Sequence, residues 1–343
     1  MSFNPRKILV IDFGQLGDVV MSLPALRAIR ERFPNARITA AVGKPGDEVV
    51  GMSGYVDAII SVDRVRLRDG FKPLSILRIF QITRDVRRRQ FDFVIDLHSL
   101  SETNVLGFFS GASKRLFSRR PGRSLDFLAN FNPRPPIEVD HRKRHSVDRY
   151  LDVLRPLGIN DAPRLPQLKT RFEDDRAMDA MLRKEKADIG APLVGLFPGA
   201  GHPSRRWDLE RFAELADFLV RNDDVRPIVF AGPEERSLVQ EMRSQFPRSS
   251  VILERLTIRQ LASAQARLTA FVSNDTGPMH IAAAVGTPVV VLLDRRAPES
   301  YLPLIESRKV IYNATISEIT VEEVYAATRE LLSTGRTASL FAS

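Results

Sequence analysis

Residues 7–36 read KILVIDFGQLGDVVMSLPALRAIRERFPNA. A short apolar run ends at Asp12, glycines follow at Gly14 and Gly17, and a helical pattern opens with Asp18 in its first turn. Strand, tight turn and helix in that order make the unit from which parallel sheets with helical crossovers are built. The clearest helical spacing runs from Pro24 to Phe33, with Leu26, Ile29 and Phe33 on one face and Pro34-Asn35 closing it. Gly14 and Gly17 permit positive φ and a close backbone approach to a bound group. The G-x-G-x-x-G spacing is absent and no Gly-Lys-Ser/Thr follows, so neither a dinucleotide fingerprint nor a P-loop is present. From spacing alone, Asp18 is accounted for as a carboxylate satisfying free amides at a helix N-terminus, worth about 1 kcal/mol.

The same alternation runs along the chain. Strand patterns follow at Arg37–Val42, Asp57–Val62 and Phe91–Leu97, then at Leu193–Phe197, Pro227–Phe230, Ser250–Leu253, Ala270–Val272 and Pro288–Leu293, with helical patterns between them. Gly158–Thr170 (GINDAPRLPQLKT) is rich in turn residues and aperiodic, as a linker would be. The reading is two doubly wound α/β domains: residues 1–160, a linker over 161–174, a second domain over 175–317, and a closing segment, 318–343. At 343 residues the chain is long enough for two cores.

Hydrophobic content of 43% beside 27% charged residues is that of a globular chain, and no unbroken apolar run is long enough to span a bilayer. The first residues, MSFNPRK, lack an apolar signal region, so a cytoplasmic location is expected. With no cysteine, disulfides and thiolate chemistry are excluded. The 51 Lys and Arg outnumber the 42 Asp and Glu, giving a formal charge of +9. Basic runs at Arg84–Arg89, Lys114–Arg123 and His141–Arg149 place the surplus in the first half and point to an anionic partner. No recognition-helix or aromatic-interleaved pattern indicates nucleic acid. A phosphorylated acceptor or an anionic membrane surface fits better, and Phe71–Ile82 (FKPLSILRIFQI) reads either as an interfacial segment or as a core-facing helix.

In doubly wound sheets ligands bind beyond the carboxyl ends of strands. FPGAGHPSRRW (197–207) places Gly199, Ala200 and Gly201 where backbone amides can face an anion, with Arg205 and Arg206 behind them, which suits a diphosphate; Trp207 is expected to pack on the following helix. FAGPEERS (230–237) offers Glu234 and Glu235 either to ribose hydroxyls or to a helix start. VSNDTGPMHIAAAVGTPVVVLL (272–293) ends a strand in Asn274, Asp275, Thr276 and Gly277, and Pro278 starts a helix, so free amides point off the sheet; His280 lies in its first turn. The dispersed histidines form no metal-ligand pattern beyond the pair His141 and His145. Chemistry without a protein-held metal or other cofactor is expected.

Together and in this order, GDVVMSLPALRAIRERFP, PGAGHPSRRWDLERFAELA, AGPEER and NDTGPMHIAAAVGTPVV resemble the heptosyltransferase family, glycosyltransferase family 9, over nearly the whole chain from Lys7 to about Leu293. The resemblance implies a GT-B fold, two Rossmann-like parallel-sheet domains facing a central cleft. The first would hold a glycolipid acceptor and the second a nucleotide-sugar donor, and the last helix, near Thr320–Leu332, would return to the first domain. It implies an inverting transfer of heptose or a related sugar from an ADP-sugar to lipopolysaccharide core or another surface glycan. Asp18 would be the catalytic base; near its reference pKa of about 3.9, and lowered by the helix N-terminus, it would take the proton late. Arg205 stands where the family typically has a lysine that stabilises the departing phosphate. Gly199, Ala200, Gly201, Asp275, Thr276, Gly277 and His280 would contact the donor, and Glu235, in preference to Glu234, the ribose. Acceptor contacts are expected from Gly14, Gly17, Lys114, Arg115, Arg119, Arg120, Arg142, Lys143 and Arg144, with peripheral contact to the cytoplasmic face of an anionic inner membrane. After the last strand the chain reads LLDRRAPESYLP (292–303), where the family usually has Phe-Gly-Pro and a Ser/Thr-Asp-Pro. That departure keeps two alternatives open: a different donor, or a non-catalytic nucleotide-sugar binder.

Overall fold

The computed structural model describes residues 3–63, 73–138, 144–185, 190–295 and 297–340. The chain divides into two units, Met1–Gln167 with Glu299–Tyr301, and Leu168–Pro298 with Leu302–Ser343. The break falls inside the aperiodic stretch read as a linker, but the second unit begins at Leu168, whose N–H donates to Ala284 O at 2.8 Å.

Among the described residues, the first unit holds five strands, β1 (Lys7–Asp12), β2 (Arg37–Gly43), β3 (Ala58–Val62), β4 (Phe93–Asp96) and β5 (Lys114–Phe117), in the order β3-β2-β1-β4-β5. All pairs are parallel. Its helices are α1 (Leu16–Arg32), α2 (Gly46–Ser53), α3 (Pro73–Arg88), α4 (Ser101–Phe109) and α5 (Ser146–Asp152). Leu9, Ile11, Val94 and Phe117 share one core cluster. Helices cover both faces of such a sheet, so its central strands read as unbroken apolar runs. The strand order reverses between β1 and β4, so the turns after those two strands lie together at the switch point.

α1 is longer than its spacing predicts. It starts at Leu16 and passes through Pro24, which forfeits one helical hydrogen bond; burial of Val19, Val20, Met21 and Leu23 holds the helix across that position. β5 was expected as part of a basic loop. It is an edge strand, and edge strands carry charged residues such as Lys114 and Arg115 because one side lacks a neighbour.

The second unit holds β6 (Leu193–Phe197), β7 (Arg226–Ala231), β8 (Val251–Glu254), β9 (Ala270–Asn274), β10 (Val289–Asp294) and β11 (Arg308–Asn313), all parallel, in the order β11-β10-β9-β6-β7-β8. Its helices are α6 (Phe172–Lys184), α7 (Leu209–Asp223), α8 (Val239–Gln245), α9 (Ile258–Gln265), α10 (Gly277–Ala284) and α11 (Val321–Leu340). The switch point lies between β6 and β9. α11, the closing helix, contributes to the core of the second unit. Val321, Val324, Leu331 and Leu332 enter the second unit's core with Leu196, Trp207 and Phe212, and Tyr325 Oη donates to Asp223 Oδ2 on α7 at 2.8 Å. An apolar helix face packs where a matching apolar surface is offered, and here the second sheet offers it.

Candidate active site

At the first switch point Asp18 is the third residue of α1. Its Oδ2 accepts a hydrogen bond from the N–H of Gln15 at 3.0 Å, so the carboxylate does cap the helix. It also lines a cavity of about 980 Å³ together with His98, Arg120, Glu138, Arg149 and Tyr301. Burial pushes the Asp18 carboxyl above the usual carboxylate range; His98 opposes that shift, Asp12 adds to it, and the Gln15 amide and Arg149 oppose it. The expected lowering by the helix terminus is thus outweighed by desolvation, which disfavours the charged form.

Gly14 has a steric role in place of the conformational one expected. Neither it nor Gly17 takes positive φ. A Cβ at Gly14 would stand 2.5 Å from Asp18 Cβ and 3.0 Å from Asp12 Oδ1, so only a glycine lets the turn pass between these two aspartates. Gly17 is the second residue of α1.

The ends of β1 and β4 supply groups that spacing did not reveal. Asp12 Oδ1 accepts from Gly14 N at 2.9 Å and lies 3.7 Å from His98 Nδ1. Asp96, paired in register with Ile11, accepts from Ser99 N and from Asn104 Nδ2, both at 2.7 Å, and burial raises its pKa to about 7. The buried Tyr150 phenol lines the same cavity, its pKa raised by burial and by the nearby Asp18 and Asp12. The one available signal was position: Asp96 ends a strand and His98 lies in the turn after it, like the residues that were singled out.

The basic acceptor candidates separate. Arg120 lines the cavity, with Nε 3.0 Å from Glu138 Oε2 and Nη1 donating to His98 O at 2.8 Å. Arg115 is structural: it donates to Leu128 O and Ala112 O, and its guanidinium lies 5.2 Å from the Phe108 ring centroid. Arg144 forms a forked pair with Asp152 at 2.7 and 2.8 Å, and Arg119 approaches Asp126 at 3.3 Å. These partners occupy guanidiniums that charge alone made into binding groups. Lys114 is exposed on the edge strand β5. Arg142, Lys143 and His141 lie outside the described residues, as does most of Phe71–Ile82 with respect to its side chains.

At the second unit's switch point one buried side chain ties the loops together. Asn274, at the end of β9, donates through Nδ2 to Pro198 O at 3.0 Å and to Gly199 O at 3.1 Å, and its Oδ1 accepts from Trp207 N at 3.1 Å. Arg206 Nη2 donates to Ala200 O at 3.3 Å. Trp207 is buried against Phe212 and donates through Nε1 to Ile319 O at 2.9 Å. Asp275 lies beside Arg205, Oδ2 to Nη1 at 3.5 Å. Burial raises the Asp275 carboxyl and Arg205 opposes the shift. The Arg205 side chain is 53% exposed, so it can turn onto an incoming anion at little cost. Thr276 precedes α10 at the N-cap position without a side-chain capping bond, its Oγ1 3.2 Å from Ser273 Oγ; Gly277 is the first helical residue, and His280 is buried within that helix.

Glu235 and Glu234 part clearly. Glu235 is buried and its Oε2 accepts from Gly232 N at 3.0 Å, whereas Glu234 is exposed. A Cβ at Gly199 would overlap Glu235 Oε1 and Cδ, and one at Gly232 would come within 2.8 Å of Oε2. The carboxylate therefore sits in a slot that two glycines keep open, and burial raises its pKa. Gly201 is exposed, with space around it. Among the described residues, no group of three or more His, Cys, Asp or Glu is arranged to hold a metal ion.

The model of glycosyltransferase family 9 (heptosyltransferase) matches residues 79–327. The chain belongs to this family. Relatives of this family member include lipooligosaccharide heptosyltransferase 2 of Haemophilus influenzae, 24% identical over 319 residues with 89% of this chain and 88% of the relative covered. Lipopolysaccharide heptosyltransferase 3 of Escherichia coli is 22% identical over 284 residues, covering 80% of each. Among solved structures, a family 9 glycosyl transferase from Veillonella parvula superposes with a TM-score of 0.86 at 24% identity, covering 97% of this chain and 99% of that one. Heptosyltransferase WaaC of E. coli with ADP-2-deoxy-2-fluoro heptose superposes with a TM-score of 0.75 at 18% identity, covering 94% and 99%. At these identities the likeness concerns the fold, and it is the fold described above for this heptosyltransferase-family chain: two parallel-sheet α/β domains.

Proposed function

We propose that this family member is an inverting GT-B glycosyltransferase that moves heptose, or a related sugar, from an ADP-sugar to a lipopolysaccharide core or another surface glycan, without a protein-held metal. The observation that carries the reading is Asp18: a carboxylate anchored through Oδ2, lining a cavity of about 980 Å³, with its pKa raised by burial. A stronger base takes a hydroxyl proton earlier along the reaction. In the proposed step the acceptor oxygen attacks the anomeric carbon from the face opposite ADP, the carbon–oxygen bond to ADP breaks, and Asp18 receives the proton. Arg205 would neutralise the departing diphosphate. The amides of Gly199, Ala200 and Gly201 and the start of α10 at Thr276 and Gly277 would hold its phosphates. Asp275 and His280 would contact the donor, and Glu235 would accept from ribose hydroxyls. A family 9 structure with an ADP-sugar analogue supports ADP as the nucleotide.

Calorimetric titration of the chain with ADP, UDP, GDP and CDP tests the donor. Selective ADP binding, followed by transfer from ADP-heptose that persists in EDTA, is the expected result. Selectivity for another nucleotide would favour a changed donor, the second reading that residues 292–303 suggest; binding of none would overturn the proposal.

We place the enzyme at the cytoplasmic face of an anionic membrane. Exposed Phe108, Phe109 and Phe127, with Arg115 over the Phe108 ring, support this, and no helix among the described residues is long and apolar enough to cross a bilayer. Cosedimentation with anionic liposomes at low salt is expected; its absence would remove the membrane contact.

A further inference from the structure

Within LLDRRAPESYLP, neighbouring residues have different surroundings. Leu302 is buried in the second unit's core, whereas Tyr301 groups with the first unit and lines the cavity that holds Asp18. Its ring is half-buried and lies 5.5 Å from the Arg149 guanidinium carbon, and its hydroxyl accepts from Arg149 Nη2 at 3.3 Å. Arg149 is held in turn: Nη1 donates to Glu138 Oε1 at 2.8 Å and Nη2 to Ser146 Oγ at 3.0 Å, and only 9% of its side chain is exposed. The other Glu138 oxygen pairs with Arg120 Nε at 3.0 Å. A chain of charge-assisted contacts, Arg120 to Glu138 to Arg149 to Tyr301, thus fixes an aromatic ring at the wall of the cavity.

We propose that Tyr301 is an acceptor-specificity residue: its ring, held by Arg149, is a platform on which a sugar ring of the acceptor lies while its hydroxyl faces Asp18. The inference rests on the glycosyl-transfer reading and extends it by naming the residue that recognises the acceptor. A rigid ring with one fixed edge offers contact area at little entropic cost, and the apolar face of a pyranose matches it in shape. The phenol is not needed for that contact, which separates this role from one in proton transfer.

The test is calorimetric titration of the full chain with a deacylated lipopolysaccharide core oligosaccharide, comparing the parent, Tyr301→Ala and Tyr301→Phe, with ADP titrated in parallel. Tyr301→Ala is expected to weaken oligosaccharide binding about tenfold. Tyr301→Phe should stay within about threefold of the parent, since the ring remains. ADP affinity should be the same in all three, and each should still unfold in a cooperative transition. Where transfer is measured, the acceptor KM should rise in Tyr301→Ala with kcat little changed. Equal oligosaccharide affinity in parent and Tyr301→Ala, or equal loss in Phe and Ala, would overturn the inference. Selective ADP binding and transfer alongside such a result would leave the function standing; absence of both in the parent would strike the function itself.

Discussion

Gln15 donates its backbone N–H to Asp18 Oδ2 at 3.0 Å, so one carboxylate both starts a helix and lines the cavity of the first unit. An asparagine at this position retains a carbonyl oxygen to accept from Gln15 but has no basic oxygen. Asp18→Asn should therefore keep the fold and ADP affinity while turnover falls about 100-fold to 10,000-fold, the range of general-base catalysis. Steady-state transfer beside calorimetry measures both. Turnover within a few-fold of the parent would exclude Asp18 as the base.

A methyl group at Gly199 would overlap the Glu235 carboxylate. Gly199→Ala is expected to push Glu235 out of its slot and to weaken ADP binding at least tenfold, as two hydrogen bonds to ribose would be worth. Gly201→Ala, with open space around the site, should change affinity little. Equal effects of the two substitutions would show that the slot does not matter.

Asn274→Ala removes the partners of Pro198 O, Gly199 O and Trp207 N at once. Leaving such buried groups unsatisfied should cost about 2 kcal/mol or more. Denaturant unfolding should show the loss, and ADP binding should weaken with it, because both loops of the second switch point hang on this amide.

Asp96 makes stability depend on pH. Its folded pKa, about 7, lies above the ordinary aspartate value of 3.8, so between about pH 4 and 7 the folded chain retains a proton that the unfolded chain has released. Its contribution is thus fully present below about pH 4 and is lost as pH rises to 7, by at most about 1.4 kcal/mol per pH unit. Asp96→Asn should flatten that slope in denaturant titrations, whatever it does to the absolute level; an unchanged slope would mean that Asp96 titrates normally.

The sequence made the sheets legible where strands are central. Lys7–Asp12 and Leu193–Phe197 read as apolar runs because helices cover both faces, and their bounds are those observed. The edge strands β5 and β11 escaped because an edge tolerates charge: KRLF and RKVIYN do not look like buried strands. The candidate donor loops were legible for a related reason, since glycine turns after strands are local features. The surroundings of Asp18 were not. His98, Arg149 and Tyr150 come near it through the strand order and through α5, and the burial that raises its pKa is a product of the fold that no local spacing encodes. In α11 the apolar face was readable, but its choice of sheet was set by the surface that Leu196, Trp207 and Phe212 present.

The assignment of Glu299–Tyr301 to the first unit, between stretches of the second, has a consequence for how specificity is inherited. A recombination that exchanged everything after Gln167 between two relatives would carry Tyr301 along with the second unit. With Tyr301 in the role inferred above, chimeras joined at that point would mix acceptor preferences instead of separating them, and a fragment ending at Gln167 would lack a residue that lines the cavity it was made to study.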